Sequence, residues 1–126
     1  MILITGGAYQ GKTAFAAGLL GISPEDMADG RVCTPEEALS AGCINSFHAL
    51  VRRLPEPVLF TEKLCRRNAG AVVIMDEIGC GIVPMEKSER VWRENTGRCG
   101  CIIAARSDTV VRLVCGIPSV IKGELP

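Results

Sequence analysis

An eight-residue segment near the start of the chain constrains the fold more than any other part of the sequence. It follows the apolar run at residues 2–5 and precedes Lys12–Leu20, a stretch rich in Ala and Leu that ends at Gly21. The apolar run predicts a short buried parallel strand. The second stretch predicts a helix that the glycine closes. The chain must therefore make a strand, a glycine-rich loop and a helix in immediate succession.

The loop fits the pattern G-x-x-x-x-G-K-[ST] at every fixed position. Its residues are Gly6, Gly7, Ala8, Tyr9, Gln10, Gly11, Lys12 and Thr13. Glycines let the backbone curl so that its N–H groups point at phosphate oxygens, and the following helix adds the positive end of its dipole. We expect Lys12 to reach the β and γ phosphates of ATP or GTP, and the Thr13 hydroxyl to ligate Mg²⁺. Without nucleotide, we expect the Lys12 ammonium to be exposed. An ordinary glycine-rich turn is the disfavoured alternative, because pattern and context agree.

The rest of the chain alternates between helical and strand patterns. Thr34, Pro35 and Glu37 predict a helix start with a capping box. Further helices are predicted at 44–54, 58–67 and 86–105, and strands at 71–75 and 109–115. The spacing of Ile44, Phe47, Val51 and Leu54 is the basis of the first of these helices. This alternation favours an α/β class, a three-layer P-loop NTPase-like fold with a mainly parallel sheet. The length of 126 residues suits a single domain over 1–126.

Two carboxylates follow the apolar strand predicted at 71–75. Side chains at the carboxyl end of a parallel strand face the crevice where ligands bind. Asp76 is therefore a candidate to hold Mg²⁺ through water, and Glu77 is a candidate to orient or deprotonate an acceptor hydroxyl. A solvated pair that starts a loop is the alternative, and the phosphate loop favours the functional interpretation.

Charge and hydropathy exclude other classes of partner. Lys plus Arg and Asp plus Glu are both 14, whereas nucleic-acid binders carry a basic excess. The longest apolar runs are about five residues, against the roughly 20 that a membrane-spanning helix needs, and no basic segment of a signal peptide precedes residues 2–4. We therefore expect no nucleic acid, no membrane and a cytoplasmic location. The seven cysteines are expected to be free thiols in that compartment.

Three C-terminal motifs, together with the phosphate loop, make the chain recognisable. Residues 77–84 fit E-[VI]-G-x-G-I-V-P. The pattern R-x-[FW]-R-[DE]-x-x-G follows, carried by Arg90, Trp92, Arg93, Glu94 and Gly97. Residues 114–118 and Lys122 form a matching ending. The chain resembles the adenosylcobinamide kinase / adenosylcobinamide-phosphate guanylyltransferase family of cobalamin biosynthesis over residues 1–20 and 71–122.

This resemblance implies a P-loop enzyme, often trimeric, that phosphorylates a hydroxyl of a cobinamide-type corrinoid and then transfers GMP through a guanylylated histidine. His48 is the only histidine, and Arg52 matches an arginine four residues after the family's histidine. The Glu and Arg that precede that histidine, and the Trp after it, are not matched. A structural histidine at the border of an apolar helix face remains the alternative.

The chain also departs from the family between the two matched regions. Typical members are longer there and carry an apolar strand that ends in aspartate, followed by Cys-Leu-Thr. Asp76 stands where the family has Asn, which suggests that it takes over the role of that aspartate. Three hypotheses stay open: a nucleotide-dependent kinase, a shortened nucleotide-binding module without a corrinoid site, and an NTPase whose Glu77 activates water.

Overall fold

The computed structural model describes residues 1–79 and 83–126. Those residues form one sheet of six strands in the order β2-β3-β4-β1-β5-β6. The strands are β1 (Ile2–Gly6), β2 (Ala28–Asp29), β3 (Cys43–Asn45), β4 (Val72–Asp76), β5 (Thr109–Val114) and β6 (Ile117–Lys122). All neighbouring pairs are parallel except β5 and β6, which form an antiparallel hairpin at the edge. The sheet is therefore mainly parallel, as predicted.

Helices cover both faces of this sheet. They are α1 (Lys12–Leu20), α2 (Pro35–Ser40), α3 (Phe47–Arg53), α4 (Pro57–Arg67) and α5 (Lys87–Arg106). A short 3-10 turn spans Pro24–Asp26. Among the described residues, no helix is both long and apolar enough to cross a membrane.

Alternate residues of the central strands serve two separate cores. Leu3 and Val73 point into a cluster with side chains of α2, α3, α4 and α5. Ile4 and Ile74 point the other way, into a cluster with Ala16 and Phe15 of α1. Because successive side chains of a strand point to opposite faces, the sheet is a layer between α1 and the other four helices. The three-layer α/β class is confirmed.

Most of the predicted elements are confirmed close to their expected bounds. Helix α1 has the predicted bounds, and Gly21 ends it with φ 65°. The capping box is present, since the Glu37 N–H donates to Thr34 Oγ1 at 3.1 Å and the Thr34 N–H to Glu37 Oε1 at 3.2 Å. Helix α5 continues through Gly97 and Gly100. The predicted strands 71–75 and 109–115 are β4 and β5.

The helix predicted at 44–54 is wrong in its first part. Cys43 and Ile44 are in β3, paired with Val72 and Val73 of β4, and the helix begins only at Phe47. Ser46 separates the two elements with a left-handed φ of 54°. The spacing of the apolar residues from Ile44 to Leu54 fitted a helix. Short apolar runs can form either element, and here pairing with the buried strand β4 makes the first residues a strand.

Strand β6 was also not predicted. Gly116 and Pro118 suggested only an end to β5, whereas the chain turns at Cys115 and Gly116, both with positive φ, and returns antiparallel. Pro118 is accommodated because β6 is an edge strand. Of the recognised 77–84 motif, Cys80, Gly81 and Ile82 lie outside the described residues.

Candidate functional site

The predicted phosphate loop connects β1 to α1 at the carboxyl edge of the sheet. Its backbone uses conformations that most residues avoid: Gly6 has φ 150°, Gly11 has φ 90° and Tyr9 has φ 61°. A Cβ on Gly6 would lie 2.5 Å from the carbonyl oxygen of Leu113 in β5. Glycine at this position is therefore required both by the backbone angle and by the close neighbouring strand.

The turn between β5 and β6 supports the loop from the side. Gln10 bonds to this turn twice, since Oε1 accepts the N–H of Cys115 at 2.6 Å and the carbonyl oxygen accepts the N–H of Gly116 at 2.9 Å. A Cβ on Gly11 would meet the Cα of Gly116 at 3.4 Å. The hairpin that the sequence did not predict thus fixes the position of the loop.

Lys12 is buried rather than exposed, with 6% of its side chain accessible. Its ammonium donates to the carbonyl oxygen of Gly7 at 2.6 Å and lies 2.7 Å from Asp76 Oδ1. The expectation of a free ammonium is wrong, because a buried charge needs partners. The ion pair joins the phosphate loop directly to the end of β4.

A cavity of about 370 Å³ lies over the loop; we term it the phosphate cavity. Its lining includes six of the eight loop residues, from Ala8 to Thr13. Further lining residues are Ala14, Arg31, Asn45, Ser46, His48, Ile74 and Asp76. The structure thus brings together Lys12, Thr13, Asp76 and His48, which the sequence analysis had singled out on three separate segments.

Sequence analysis missed Arg31, Asn45 and Ser46 in this cavity. Asn45 Oδ1 accepts a hydrogen bond from the Thr13 hydroxyl at 3.3 Å and another from the Ser46 N–H at 2.9 Å. Arg31 forms an ion pair with Asp29 Oδ2 at 2.9 Å. The available signal was a polar Asn-Ser pair after a short apolar run, which the helical interpretation of 44–54 concealed.

His48 lies on the first turn of α3, against the end of β4. Its Nδ1 accepts the main-chain N–H of Asp76 at 3.0 Å, and its Nε2 lies 3.4 Å from Asp76 Oδ2. Burial lowers the pKa of His48, the Asp76 carboxylate opposes this effect, and the Lys12 ammonium adds to it. The ring is therefore neutral at pH 7. Since Nδ1 accepts a hydrogen bond, the ring proton is on Nε2.

The motif around Trp92 holds the helix that carries His48. The indole Nε1 of Trp92 donates to the carbonyl oxygen of His48 at 2.8 Å. The Arg52 guanidinium lies 4.4 Å from the centre of the Trp92 ring and pairs with Glu89. Arg52 does not line the phosphate cavity among the described residues. Arg52, the arginine that matches the family, therefore contributes to a contact between α3 and α5.

The two arginines of the same motif contact main-chain carbonyls on either side of the 80–82 segment. Arg90 donates to the carbonyl oxygens of Pro84 at 3.1 Å and Met85 at 2.5 Å, and Arg93 donates to that of Gly79. These contacts tie α5 to residues of the glycine-rich motif at 77–84.

Glu77 does not line the phosphate cavity, although it follows Asp76 directly. Its carboxylate accepts two hydrogen bonds from Arg112: Oε1 accepts from Nε at 2.9 Å, and Oε2 accepts from Nη2 at 3.1 Å. It lines a second, apolar cavity between the sheet and α5. The two neighbouring carboxylates therefore have different partners, and of the two only Asp76 lines the phosphate cavity.

Oxygen donors are the groups that this site offers to a metal ion. In the described part of the chain, no cluster of three or more His, Cys, Asp or Glu side chains could hold one. The Thr13 hydroxyl and the Asp76 carboxylate fit Mg²⁺, which protein sites hold through few side chains together with phosphates and water. The six cysteines within the described residues are free thiols. Burial raises the pKa of the Cys43 thiol to about 11.

The P-loop class of α/β proteins is defined by a strand, a glycine-rich loop and a helix in succession. This chain has that arrangement, and its loop lysine pairs with the end of a neighbouring parallel strand. The particular family follows from comparison with known proteins. The model of the family described as cobinamide kinase / cobinamide phosphate guanyltransferase matches residues 52–121. The chain belongs to this family, which confirms the resemblance. The match includes Asp76, Glu77 and α5, and it does not include the phosphate loop or His48.

A curated relative extends the similarity to nearly the whole chain. The bifunctional adenosylcobalamin biosynthesis protein CobU of Salmonella typhimurium is 26% identical over 180 aligned positions, which cover 97% of this chain and 99% of the relative. The alignment is longer than the 126 residues of this chain. The relative therefore has segments with no counterpart here. Kinase and guanyltransferase activities both transfer a group from a nucleotide, so the family is one of nucleotide-binding transferases.

Proposed function

We propose that the protein is a nucleotide-dependent kinase that transfers the γ-phosphate of ATP or GTP to a hydroxyl group of a cobinamide-type corrinoid. The observation that carries this proposal is the 2.7 Å contact between Lys12 and Asp76 at the phosphate cavity. It places the cation of a phosphate loop beside a carboxylate at the carboxyl end of the sheet, the arrangement in which P-loop enzymes bind a nucleotide and its metal ion.

Nucleotide binding exchanges the partners of Lys12. The ammonium leaves the carbonyl of Gly7 and the Asp76 carboxylate for oxygens of the β and γ phosphates, while N–H groups of residues 6–13 bind the same phosphates. The Thr13 hydroxyl and the Asp76 carboxylate would hold Mg²⁺. The metal ion neutralises the charge of the phosphates when it is bound.

The transfer itself is a single displacement. The acceptor oxygen forms a bond to the γ-phosphorus, the bond from that phosphorus to the β–γ bridging oxygen breaks, and the nucleoside diphosphate leaves with the electron pair. Glu77 orients the acceptor hydroxyl and takes its proton. Catalysis in this scheme comes from positioning and from charge neutralisation.

Measuring ATP and GTP turnover with and without cobinamide tests this proposal against the two other hypotheses. A kinase consumes nucleotide only with cobinamide and yields cobinamide phosphate. An NTPase consumes nucleotide equally without cobinamide. A binding module binds nucleotide and turns none over. The second and third results contradict the proposal.

Guanylyl transfer to His48 is a second candidate, and the place of His48 in the lining of the phosphate cavity favours it. Attack by Nε2 on the α-phosphorus of GTP would form an N–P bond, release pyrophosphate and pass the Nε2 proton to Asp76. The contacts of Nδ1 and Nε2 with Asp76 oppose this step, since both ring nitrogens are already engaged by the same residue. We therefore favour a structural role for His48.

Intact-protein mass spectrometry after incubation with GTP and Mg²⁺ tests the second candidate. An adduct of one GMP that is acid-labile and absent in His48→Asn would establish guanylylation. No adduct in a preparation that binds GTP normally would leave His48 a structural residue. Arg52 contacts Trp92 and Glu89 and is not among the described residues that line the phosphate cavity, so we assign it no role in neutralising the phosphate of such an adduct.

We also propose that the protein forms a homo-oligomer through β6. This edge strand is exposed along its whole length, and the accessible fractions of Ile117 and Ile121 are 70% and 61%. Apolar edge strands are normally covered, because they otherwise promote aggregation. Light scattering on Ile117→Lys and the wild type tests this proposal: a wild type that is already monomeric would contradict it.

A further inference from the structure

The second cavity lies on the face of the sheet opposite the phosphate loop and measures about 270 Å³; we term it the α5 cavity. Its floor is made by side chains of three neighbouring strands, Leu3 and Thr5 of β1, Met75 of β4 and Val110 of β5. Helix α5 forms the opposite wall. Ile78 and Gly79, which follow the end of β4, also line the cavity.

Small residues on one side of α5 keep this space open. Gly97, Gly100, Cys101 and Ala104 all line the cavity, and their spacing places them on one face of a helix. A Cβ on Gly100 would be in ordinary contact with the Met75 methyl group, at 3.5 Å. Larger side chains at these positions would fill the cavity, so the sequence of α5 maintains a space that ordinary core packing would close.

A second, independent observation indicates that a ligand belongs in this space. Thr96 is one of the residues that line the α5 cavity, and only 2% of it is accessible. Its hydroxyl has no hydrogen-bond partner among the described residues. Buried hydroxyl groups are nearly always satisfied, so an unpartnered one calls for an explanation. A ligand with a hydrogen-bonding group would satisfy it.

The α5 cavity meets the phosphate cavity at the end of β4. Asp76 lines both cavities. Glu77, bound to Arg112, lines the α5 cavity and is not among the described residues that line the phosphate cavity. A molecule in the α5 cavity therefore reaches the end of the strand whose aspartate contacts Lys12 at 2.7 Å.

We propose that the α5 cavity binds the acceptor of the phosphoryl transfer. The ligand it fits is an uncharged aliphatic arm that carries the reacting hydroxyl and a second hydrogen-bonding group for Thr96. The volume is about nine times the roughly 30 Å³ of a liquid water molecule, so it takes such an arm and leaves a larger body outside. This inference rests on the proposed kinase function and names the subsite of its acceptor.

In this arrangement the two substrates approach from opposite faces of the sheet. The nucleotide occupies the face of α1, and the acceptor occupies the face of α5. The acceptor hydroxyl lies beside Glu77, which explains why this carboxylate is separated from the phosphate cavity. An apolar wall beside the reacting hydroxyl also excludes water, which would otherwise compete as the acceptor.

Filling the cavity tests the proposal. Gly100→Leu is expected to raise the KM for cobinamide at least tenfold and to leave the Kd for ATP and GTP unchanged. Gly18→Leu is the matched control, since Gly18 is also a helical glycine, on α1, and a Cβ added there would meet no atom within 4 Å. Thr96→Val keeps the shape of the side chain and removes its hydroxyl, and it should raise the same KM several-fold. Unchanged KM values for both cavity variants would overturn the proposal.

A binding probe separates this inference from the proposed function. Methyl NMR with tert-butanol should give saturable shifts of the Met75 methyl in the wild type and in Gly18→Leu, and none in Gly100→Leu. Saturable shifts in a protein that does not phosphorylate cobinamide would support an alcohol-binding cavity and refute cobinamide as its ligand. No shift at Met75 would overturn the α5 cavity as the acceptor subsite, even in an active kinase.

Discussion

The phosphate cavity and the α5 cavity are lined by residues of different chemistry, although the two cavities meet at the end of β4. The phosphate cavity is lined by a glycine-rich loop, by polar side chains and by a paired lysine and aspartate. The α5 cavity is lined mainly by apolar and small residues, together with Asp76 and Glu77 at the end of β4. The first suits a highly charged ligand and the second an uncharged one.

Asp76 and Glu77 show how the sheet separates the phosphate cavity from the α5 cavity. Successive side chains of an extended chain point to opposite faces, so two adjacent carboxylates have different partners. Asp76 contacts Lys12 and His48, and Glu77 is bound by Arg112. The comparison implies that carboxylates next to each other in sequence have separable functions, one for the nucleotide and its metal ion and one for the acceptor.

The largest effect is expected when the cation of the phosphate cavity is removed. Lys12→Ala should abolish nucleotide turnover and weaken binding by about 2–5 kcal/mol, which is roughly 30-fold or more in Kd. Since Lys12 is buried against Asp76, the variant should also lose about 1–2 kcal/mol of stability, less than a fully buried pair because Asp76 is partly exposed. Calorimetry and urea unfolding measure the two effects. Lys63→Ala, at an exposed lysine of α4, is the control and should change neither.

The second-largest effect is expected from substituting the carboxylates of Asp76 and Glu77, which should change the kinetics in different ways. Glu77→Gln should lower kcat about 100-fold, the lower range for a lost general base, with nucleotide affinity nearly kept. Asp76→Asn should raise the Mg²⁺ concentration needed for activity about tenfold. Steady-state kinetics over a range of Mg²⁺ distinguishes the variants. Equal, mild effects of both substitutions would mean that the carboxylates are a solvated pair with no distinct functions.

The smallest effect concerns His48 and pH. Burial lowers the pKa of His48 below its ordinary value near 6.5, so the unfolded chain binds a proton more readily than the folded chain. The resulting stability is fully present above pH 6.5 and is lost as pH falls through the lowered pKa. Urea unfolding at pH 7.5, 6.5 and 5.5 should show this decline in the wild type. The decline should be smaller in His48→Gln, and an equal slope in both proteins would contradict the assignment of a neutral, buried histidine.

Elements with local sequence signals were predictable, whereas elements that depend on distant partners, and the α5 cavity, were not. The loop at 6–13, the helix after it and the strand before Asp76 each carry local signals of conformation, namely glycines, a cap and an apolar run. Strand β3 and the hairpin of β5 and β6 depend on pairing with distant residues, which no local pattern encodes. Gly97 and Gly100 suggested only weak helix propensity, and their function as the wall of a cavity appears once α5 is packed against Met75.

The most direct measurement of the central claim is a calorimetric titration of the wild type with GTP, ATP and the corresponding monophosphates, in the presence of Mg²⁺. The phosphate loop should bind one triphosphate per chain. It should bind triphosphates at least tenfold more tightly than monophosphates, because Lys12 and the loop amides are expected to contact the β and γ phosphates. Equal affinity for both, or no binding of either, would contradict the assignment of residues 6–13 as a nucleotide-binding loop.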